Sequence, residues 1–152
     1  MIVLLLDSGP LGMLTNPKST PLNLECKQWM KKLLLKGYRV ILPEIADYEV
    51  RRELIRANRL VGIQRLDDWK ERIEYKPLTT ETMLKAAEFW AESRKAGKPT
   101  ASPDALDGDV ILAAQAYLIA EEVDDRTPVV VATTNVDHLA RFTIAKHWQD
   151  IE

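Results

Sequence analysis

A single cysteine, Cys26, leaves no intramolecular disulfide to be made and no thiol pair for a zinc site, so a reducing compartment fits. Histidine is nearly as scarce. His138 and His147 have no matching cysteine and are not spaced as a ligand pair, so both read as surface or packing residues. Glycine numbers only 6 in 152 residues, and no Gly-rich phosphate loop follows the first apolar run, which argues against a dinucleotide-binding enzyme. Long hydrophobic runs are missing as well. The apolar start at 2–6 is too short for a signal-peptide core and is closed by Asp7, and no later run could span a bilayer. These absences point to a cytoplasmic protein with no membrane partner.

The rest of the composition is that of a folded, soluble chain: 46% hydrophobic and 29% charged, at a length that suits one compact domain over residues 1–152. The net charge of −2 conceals an asymmetry, since residues 1–76 carry 14 Lys and Arg against 10 Asp and Glu, whereas residues 77–152 carry 7 against 13. Global charge alone does not mark a nucleic-acid binder.

Along the chain, Ile2 to Leu6 is a continuous apolar run ending in Asp-Ser-Gly-Pro, the pattern of a buried parallel strand that delivers Asp7 into a turn. A helix is expected from about Leu22 to Leu35, stopped by Gly37, then a strand over Arg39–Leu42. Pro43 opens a helix running to about Arg59. Two more helices follow, about Ile63–Tyr75 and Thr80–Ala96, with Lys76-Pro77-Leu78 between them as a short strand or an extended connection. Gly97–Pro103 is the most loop-like stretch. A helix from about Gly108 to Glu121, a β-branched strand at Pro128–Thr133 and a turn at Thr134–Asp137 entering a last helical segment complete the reading. Strands that alternate with helices and read as solid apolar runs predict a three-layer α/β/α fold around a central, mainly parallel sheet.

In such sheets ligands bind beyond the carboxyl ends of the strands, so acids placed there carry more weight than acids on helix surfaces. Asp7 directly follows a strand, although Asp-Ser-Gly is also good turn and capping chemistry. Glu49 lies about 100° from the centre of an apolar stripe formed by Ala46, Val50, Leu54, Ala57 and Val61, where it can project past the core; Glu53, one turn on, is its rival. Glu44 and Asp47 suit the first helical turn. Asp104, Asp107 and Asp109 crowd the start of an apolar helix, where one acid would suffice as a cap and three repel one another unless a cation neutralises them. Asn135 and Asp137 again follow a strand. Carboxylates gathered at strand ends, without paired His or Cys, suit a hard cation such as Mg²⁺ or Mn²⁺, and such ions point to phosphate substrates.

Arg51, Arg52, Arg56, Arg59 and Arg65 cluster just after Glu49, where a phosphate backbone could meet them; a solvated helix face with Glu partners is the plainer alternative. Trp29, Trp69, Trp90 and Trp148 fall on or beside apolar faces and read as core rather than as base-stacking platforms.

The segments Ile2-Val-Leu-Leu-Leu-Asp7-Ser8, Pro43-Glu-Ile-Ala-Asp-Tyr-Glu49-Val-Arg-Arg-Glu-Leu54, Asp109-Val-Ile-Leu-Ala-Ala-Gln-Ala116 and Val130-Val-Ala-Thr133-Thr-Asn135-Val-Asp137-His-Leu together resemble the PIN-domain family, which includes the toxin ribonucleases of bacterial toxin–antitoxin pairs. The resemblance implies a PIN-like α/β/α fold and a Mg²⁺- or Mn²⁺-dependent ribonuclease. It implies Asp7, Glu49 and Asp109 as metal-holding catalytic acids, with Asp107 as an auxiliary acid. Ser8, Thr133 and Asn135 become hydrogen-bonding auxiliaries, and Arg51, Arg52 and Arg56 the RNA-facing cations. Asn135 holds the place of the family's last acid, which leaves Asn135 and Asp137 as rivals for the fourth position. The implied partners are RNA, an antitoxin protein and a second copy in a homodimer. A non-catalytic PIN-like module that binds RNA or a protein is the alternative. An aspartyl-phosphate phosphatase ranks below both, because Gly9 stands where its acid–base Asp belongs.

Overall fold

The chain alternates strand and helix from its start, and a computed structural model describes residues 2–97 and 103–152 of it. β1 (Val3–Leu6) leads into α1 (Ser8–Thr15) and α2 (Pro21–Leu35); β2 (Arg39–Pro43) leads into α3 (Glu44–Arg56) and α4 (Leu60–Arg72). β3 (Glu74–Lys76), α5 (Thr80–Lys95), α6 (Pro103–Glu122), β4 (Val129–Thr133), α7 (Val136–Leu139) and β5 (Ala145–His147) follow, and a single 3-10 turn closes the chain at Trp148–Asp150. Among the described residues no helix is long and apolar enough to cross a membrane.

All the strand pairs are parallel, in the order β3-β2-β1-β4-β5. β1 is therefore central, with Leu4 opposite Val40 on one side and Val130 on the other. Successive residues point to opposite faces. Leu4 and Leu6 join Leu11, Met30 and Trp148 under α1 and α2, while Val3 and Leu5 join Leu112, Ala116 and Ile119 of α6. This double burial is why β1 and β4 are apolar throughout. α5 packs on the outer side of α6 through Ala86, Phe89, Val110 and Ala113. The result is the three-layer α/β/α arrangement expected from the sequence.

Chain order reverses direction between β1 and β4: β2 and β3 lie to one side of β1, and β4 and β5 to the other. Such a switch point leaves a crevice beyond the strand ends, and Asp7 stands in it, its N–H donating to the Ala132 carbonyl of β4 at 3.0 Å.

Several boundaries differ from the sequence reading. The turn expected after Asp7 is α1, with Asp7 as its N-cap, accepting from the Ser8 N–H at 2.7 Å. Pro43 ends β2 and caps α3 instead of opening it. The helix expected to run to Arg59 stops at Arg56, because Asn58 takes a left-handed φ of 54°. Ala57 and Val61 are therefore outside the α3 stripe, and Val61 is exposed. Tyr75, expected to end a helix, belongs to β3, and α6 begins at Pro103 rather than near Gly108. Residues 98–102 of the expected Gly97–Pro103 loop, and the Asp104 side chain, lie outside the described residues. The last segment holds a one-turn helix and the edge strand β5. Trp29 and Trp148 are core residues in edge-to-face contact at 5.5 Å, whereas Trp90 is exposed.

Candidate active site

Three elements with no sequence proximity deliver the acids: the end of β1 carries Asp7, the second turn of α3 carries Glu49, and α6 carries Asp109. Gln115, buried on α6, ties that helix to α3 and β3. Its amide donates to the Lys76 carbonyl at 2.9 Å, and its oxygen accepts from the Ile45 N–H at 3.4 Å.

Asp7 is held on both oxygens. Oδ1 caps α1 through Ser8, and Oδ2 accepts from the Thr133 hydroxyl at 2.8 Å, while that hydroxyl itself accepts from the Asn135 N–H at 2.9 Å. Thr133, wholly buried, thus joins the ends of β1 and β4 and orients the carboxylate.

Glu49 reaches across to α6. A Cβ placed on Gly108 would come within 2.8 Å of Glu49 Oε2, so the carboxylate rests directly on the α6 backbone beside Asp109. Burial pushes the Glu49 carboxyl up to about 7, the negative charges of Asp7 and Asp109 add to the effect, and Arg52, with Nη2 3.9 Å from Oε2, opposes it. Burial likewise pushes Asp109 up to about 6, with His138 opposing and Asp7 adding. Asp109 Oδ2 is buried without a hydrogen-bond partner, and His138 Nδ1 lies 3.5 Å away, a charge contact too long for a good hydrogen bond.

Carboxylates from three elements, two of them pushed up by burial with the Asp7 charge adding and one with an orphaned oxygen, are the donor chemistry of a hard divalent cation. Among the described residues no three His, Cys, Asp or Glu side chains already stand close enough to hold an ion, so binding one requires the acids to rotate inward. The acids fit Mg²⁺ or Mn²⁺ by donor type, and a cation would offset the repulsion that their charges add when they approach.

The remaining expected residues divide. Ser8 and Thr133 touch Asp7 directly, and Asn135 takes part through its backbone N–H. Asp107 lies about 200° around α6 from Asp109 and borders a hollow with Met83, Ala87 and Trp90, away from the acids. Asp137 is exposed. Arg51 is engaged elsewhere: it makes paired hydrogen bonds to Asp47 at 3.0 and 2.9 Å and reaches Asp67 of α4 at 2.8 Å. Arg56 pairs with Glu53, the rival acid, at 2.8 Å. Arg52 is thus the cation of this helix that faces the acids, its guanidinium 5.1 Å above the exposed Tyr48 ring.

From Glu49 and Ser8 a groove of about 490 Å³ runs between α1 and α3, with Lys18, Arg52 and Arg59 on its walls and Val50 and Leu54 within it. Lys18 was not singled out from the sequence, and His138, read there as a surface or packing residue, stands instead beside Asp109. Lys18 follows a helix that looked like a turn, and His138 acquires its neighbour only when α7 packs on α6.

No family model matches the chain, and no curated protein matches its sequence. Solved structures do resemble it. A chain of VapBC2 from Rickettsia felis bound to a DNA fragment from its promoter aligns with a TM-score of 0.70 at 17% identity, covering 97% of this chain and 99% of that one. A chain of VapBC-1 from nontypeable Haemophilus influenzae gives 0.69 at 15%, covering 98% and 100%, and one of FitAcB from Neisseria gonorrhoeae gives 0.65 at 17%, again covering 98% and 100%. At these identities the likeness is one of fold, and with the parallel order β3-β2-β1-β4-β5 it establishes that this chain has the three-layer α/β/α fold of the PIN type.

Proposed function

We propose that this protein is a metal-dependent ribonuclease of the PIN type, acting as the toxin of a toxin–antitoxin pair. The observation that carries the reading is the meeting of Asp7, Glu49 and Asp109 at the switch point of the sheet, with two raised carboxyls and a buried, unpartnered Asp109 oxygen. Burial is the main cause of both raised carboxyls, and the neighbouring acid charges add to it, a cost that catalytic sites sustain.

Asp7, Glu49 and Asp109 would hold Mg²⁺ or Mn²⁺, which supplies Lewis acidity toward a phosphodiester and toward water. The chain's own residues do the positioning. Thr133 keeps Asp7 facing the crevice, Gly108 lets Glu49 approach Asp109, and Arg52 meets the backbone charge of an RNA strand lying in the groove, with Lys18 and Arg59 extending the contact.

An antitoxin partner is supported by the structures that share the fold, which are toxin–antitoxin assemblies. A basic side chain of such a partner, Arg or Lys, would neutralise the acidic cluster and block it. The deciding experiment incubates purified protein with structured RNA in Mg²⁺, in Mn²⁺ and with chelator. Cleavage that stops with chelator is expected, whereas RNA binding without cleavage in either metal would identify a binding module.

A further inference from the structure

We propose that His138, and not Asn135 or Asp137, is the fourth member of the acidic cluster, giving the site one nitrogen ligand and a preference for Mn²⁺ over Mg²⁺. The proposal rests on the metal-nuclease reading above.

The segment after β4 offers three candidates. Asn135 is exposed, and among the described residues its hydrogen bond is the one its N–H donates to Thr133. Asp137 is exposed on α7. His138 is half-buried, next to Leu139, whose fully buried side chain seats α7 among Val131 and Leu112, so the imidazole is turned toward α6. Its Nδ1 lies 3.5 Å from Asp109 Oδ2, the one buried side-chain oxygen without a hydrogen bond among the described residues.

A good N–H···O hydrogen bond is about 2.7–3.2 Å long, and this pair is longer. Two ligands sharing one cation at about 2.1 Å each stand roughly 3 Å apart, so a small movement lets imidazole and carboxylate share an ion. The notion of a missing last acid at Asn135 then resolves: the fourth group comes from three residues later and is a nitrogen donor.

A nitrogen ligand alters metal choice. Mg²⁺ favours an all-oxygen shell and gives up its waters reluctantly, whereas first-row transition ions accept imidazole, the later ones most readily and Mn²⁺ least, though more readily than Mg²⁺. Mn²⁺ tolerates the carboxylates as well, so it is the ion that reports the mixed set.

The test titrates the full-length protein with Mn²⁺ and with Mg²⁺, following bound Mn²⁺ by electron paramagnetic resonance, including electron spin echo for nitrogen directly bound to the ion. The parent is expected to bind Mn²⁺ more tightly and to show imidazole nitrogen coupling. His138→Ala should lose the coupling and about tenfold or more in Mn²⁺ affinity, with a much smaller loss for Mg²⁺. His138→Gln, which keeps a polar side chain on α7, should behave as His138→Ala does while melting like the parent in chelator. Mn²⁺ bound to the parent without nitrogen coupling, or equal losses for both metals, overturns the ligand role and leaves the nuclease reading standing. Failure of the parent to bind either metal overturns both.

Discussion

Glu49 and Gly108 are in contact across two helices, and the contact exists only because Gly108 has no side chain: a Cβ there would lie 2.8 Å from Oε2 and 3.3 Å from the carboxyl carbon. Gly108→Ala should therefore push the Glu49 carboxylate out of the cluster. The carboxylate is the end of a flexible side chain, so the fold can absorb the change, and alanine is the better helix former by about 1 kcal/mol. The expected outcome is a melting temperature equal to or above the parent's in chelator, a reduced Mg²⁺-induced rise and slower RNA cleavage. A variant that melts lower but responds fully to Mg²⁺ would show the glycine to be a packing device alone.

The pH dependence of stability follows from the two raised carboxyls. The folded state holds protons on Glu49 up to about 7 and on Asp109 up to about 6, above the ordinary values of 4.5 and 3.8. The folded chain binds these protons more tightly than the unfolded one, so their stabilisation is complete below the ordinary carboxylate range. It is lost as pH rises through 6 and 7. In chelator, stability should fall by about 2–4 kcal/mol between pH 5 and pH 8, a drop of roughly 5–10 °C in melting temperature for a chain of this size. Mg²⁺ binds the deprotonated acids and should flatten or reverse the slope. Thermal melts across that range, with and without the ion, read this directly; a flat profile in chelator would show that Glu49 and Asp109 are not raised by their burial.

Thr133 is the hinge pin of the crevice, donating to Asp7 Oδ2 and accepting from the Asn135 N–H. Valine matches its shape in this wholly buried position but has no hydroxyl. Thr133→Val should cost about 1–3 kcal/mol, since a half-buried carboxylate and an amide lose their partner, and should lower the cleavage rate because Asp7 is free to turn. Thr133→Ser, which retains the hydroxyl, should recover the rate. Equal kinetics for the valine and serine variants would show that the hydroxyl matters only for stability.

What was legible in the sequence depended on how far each signal reached. β1 and β4 announced themselves because a strand buried on both faces must be apolar at every residue, and the acids after them gained meaning from parallel topology. α1 was hidden, since Asp7-Ser-Gly-Pro has turn chemistry and two glycines weaken its helical pattern; tertiary burial of Leu11 and Leu14 decides it. β3 and β5 are three-residue edge strands carrying charges, and only pairing with β2 and β4 defines them. The position of His138 was beyond reach because its neighbour, Asp109 of α6, comes from another helix, whereas Arg51 was half legible: Asp47 precedes it by one turn on α3 and only Asp67 comes from α4.

Asp7 combines two roles that a pair of substitutions can separate. As N-cap of α1 it accepts the Ser8 N–H, and as a site acid its other oxygen takes the Thr133 hydroxyl and its charge raises both Glu49 and Asp109. Asn caps a helix about as well as Asp, whereas Ala does not cap and costs about 0.5–2 kcal/mol. Asp7→Asn keeps the cap on its amide oxygen, turns the Thr133 contact round so that its NH2 donates to the hydroxyl oxygen, and removes a negative charge from the cluster, so in chelator it should melt at or above the parent. Asp7→Ala should melt below Asp7→Asn by the capping energy. Both should lose nearly all cleavage and most of the Mg²⁺-induced rise, because a ligand that binds only the folded state stabilises it in proportion to its affinity. The two roles predict different rankings: stability in chelator orders the proteins by cap, and Mg²⁺ response and cleavage order them by charge. Melts of the three proteins with chelator and with Mg²⁺, beside an RNA cleavage assay, give both rankings at once. An Asp7→Asn variant that cuts at the parent rate would reduce Asp7 to its cap.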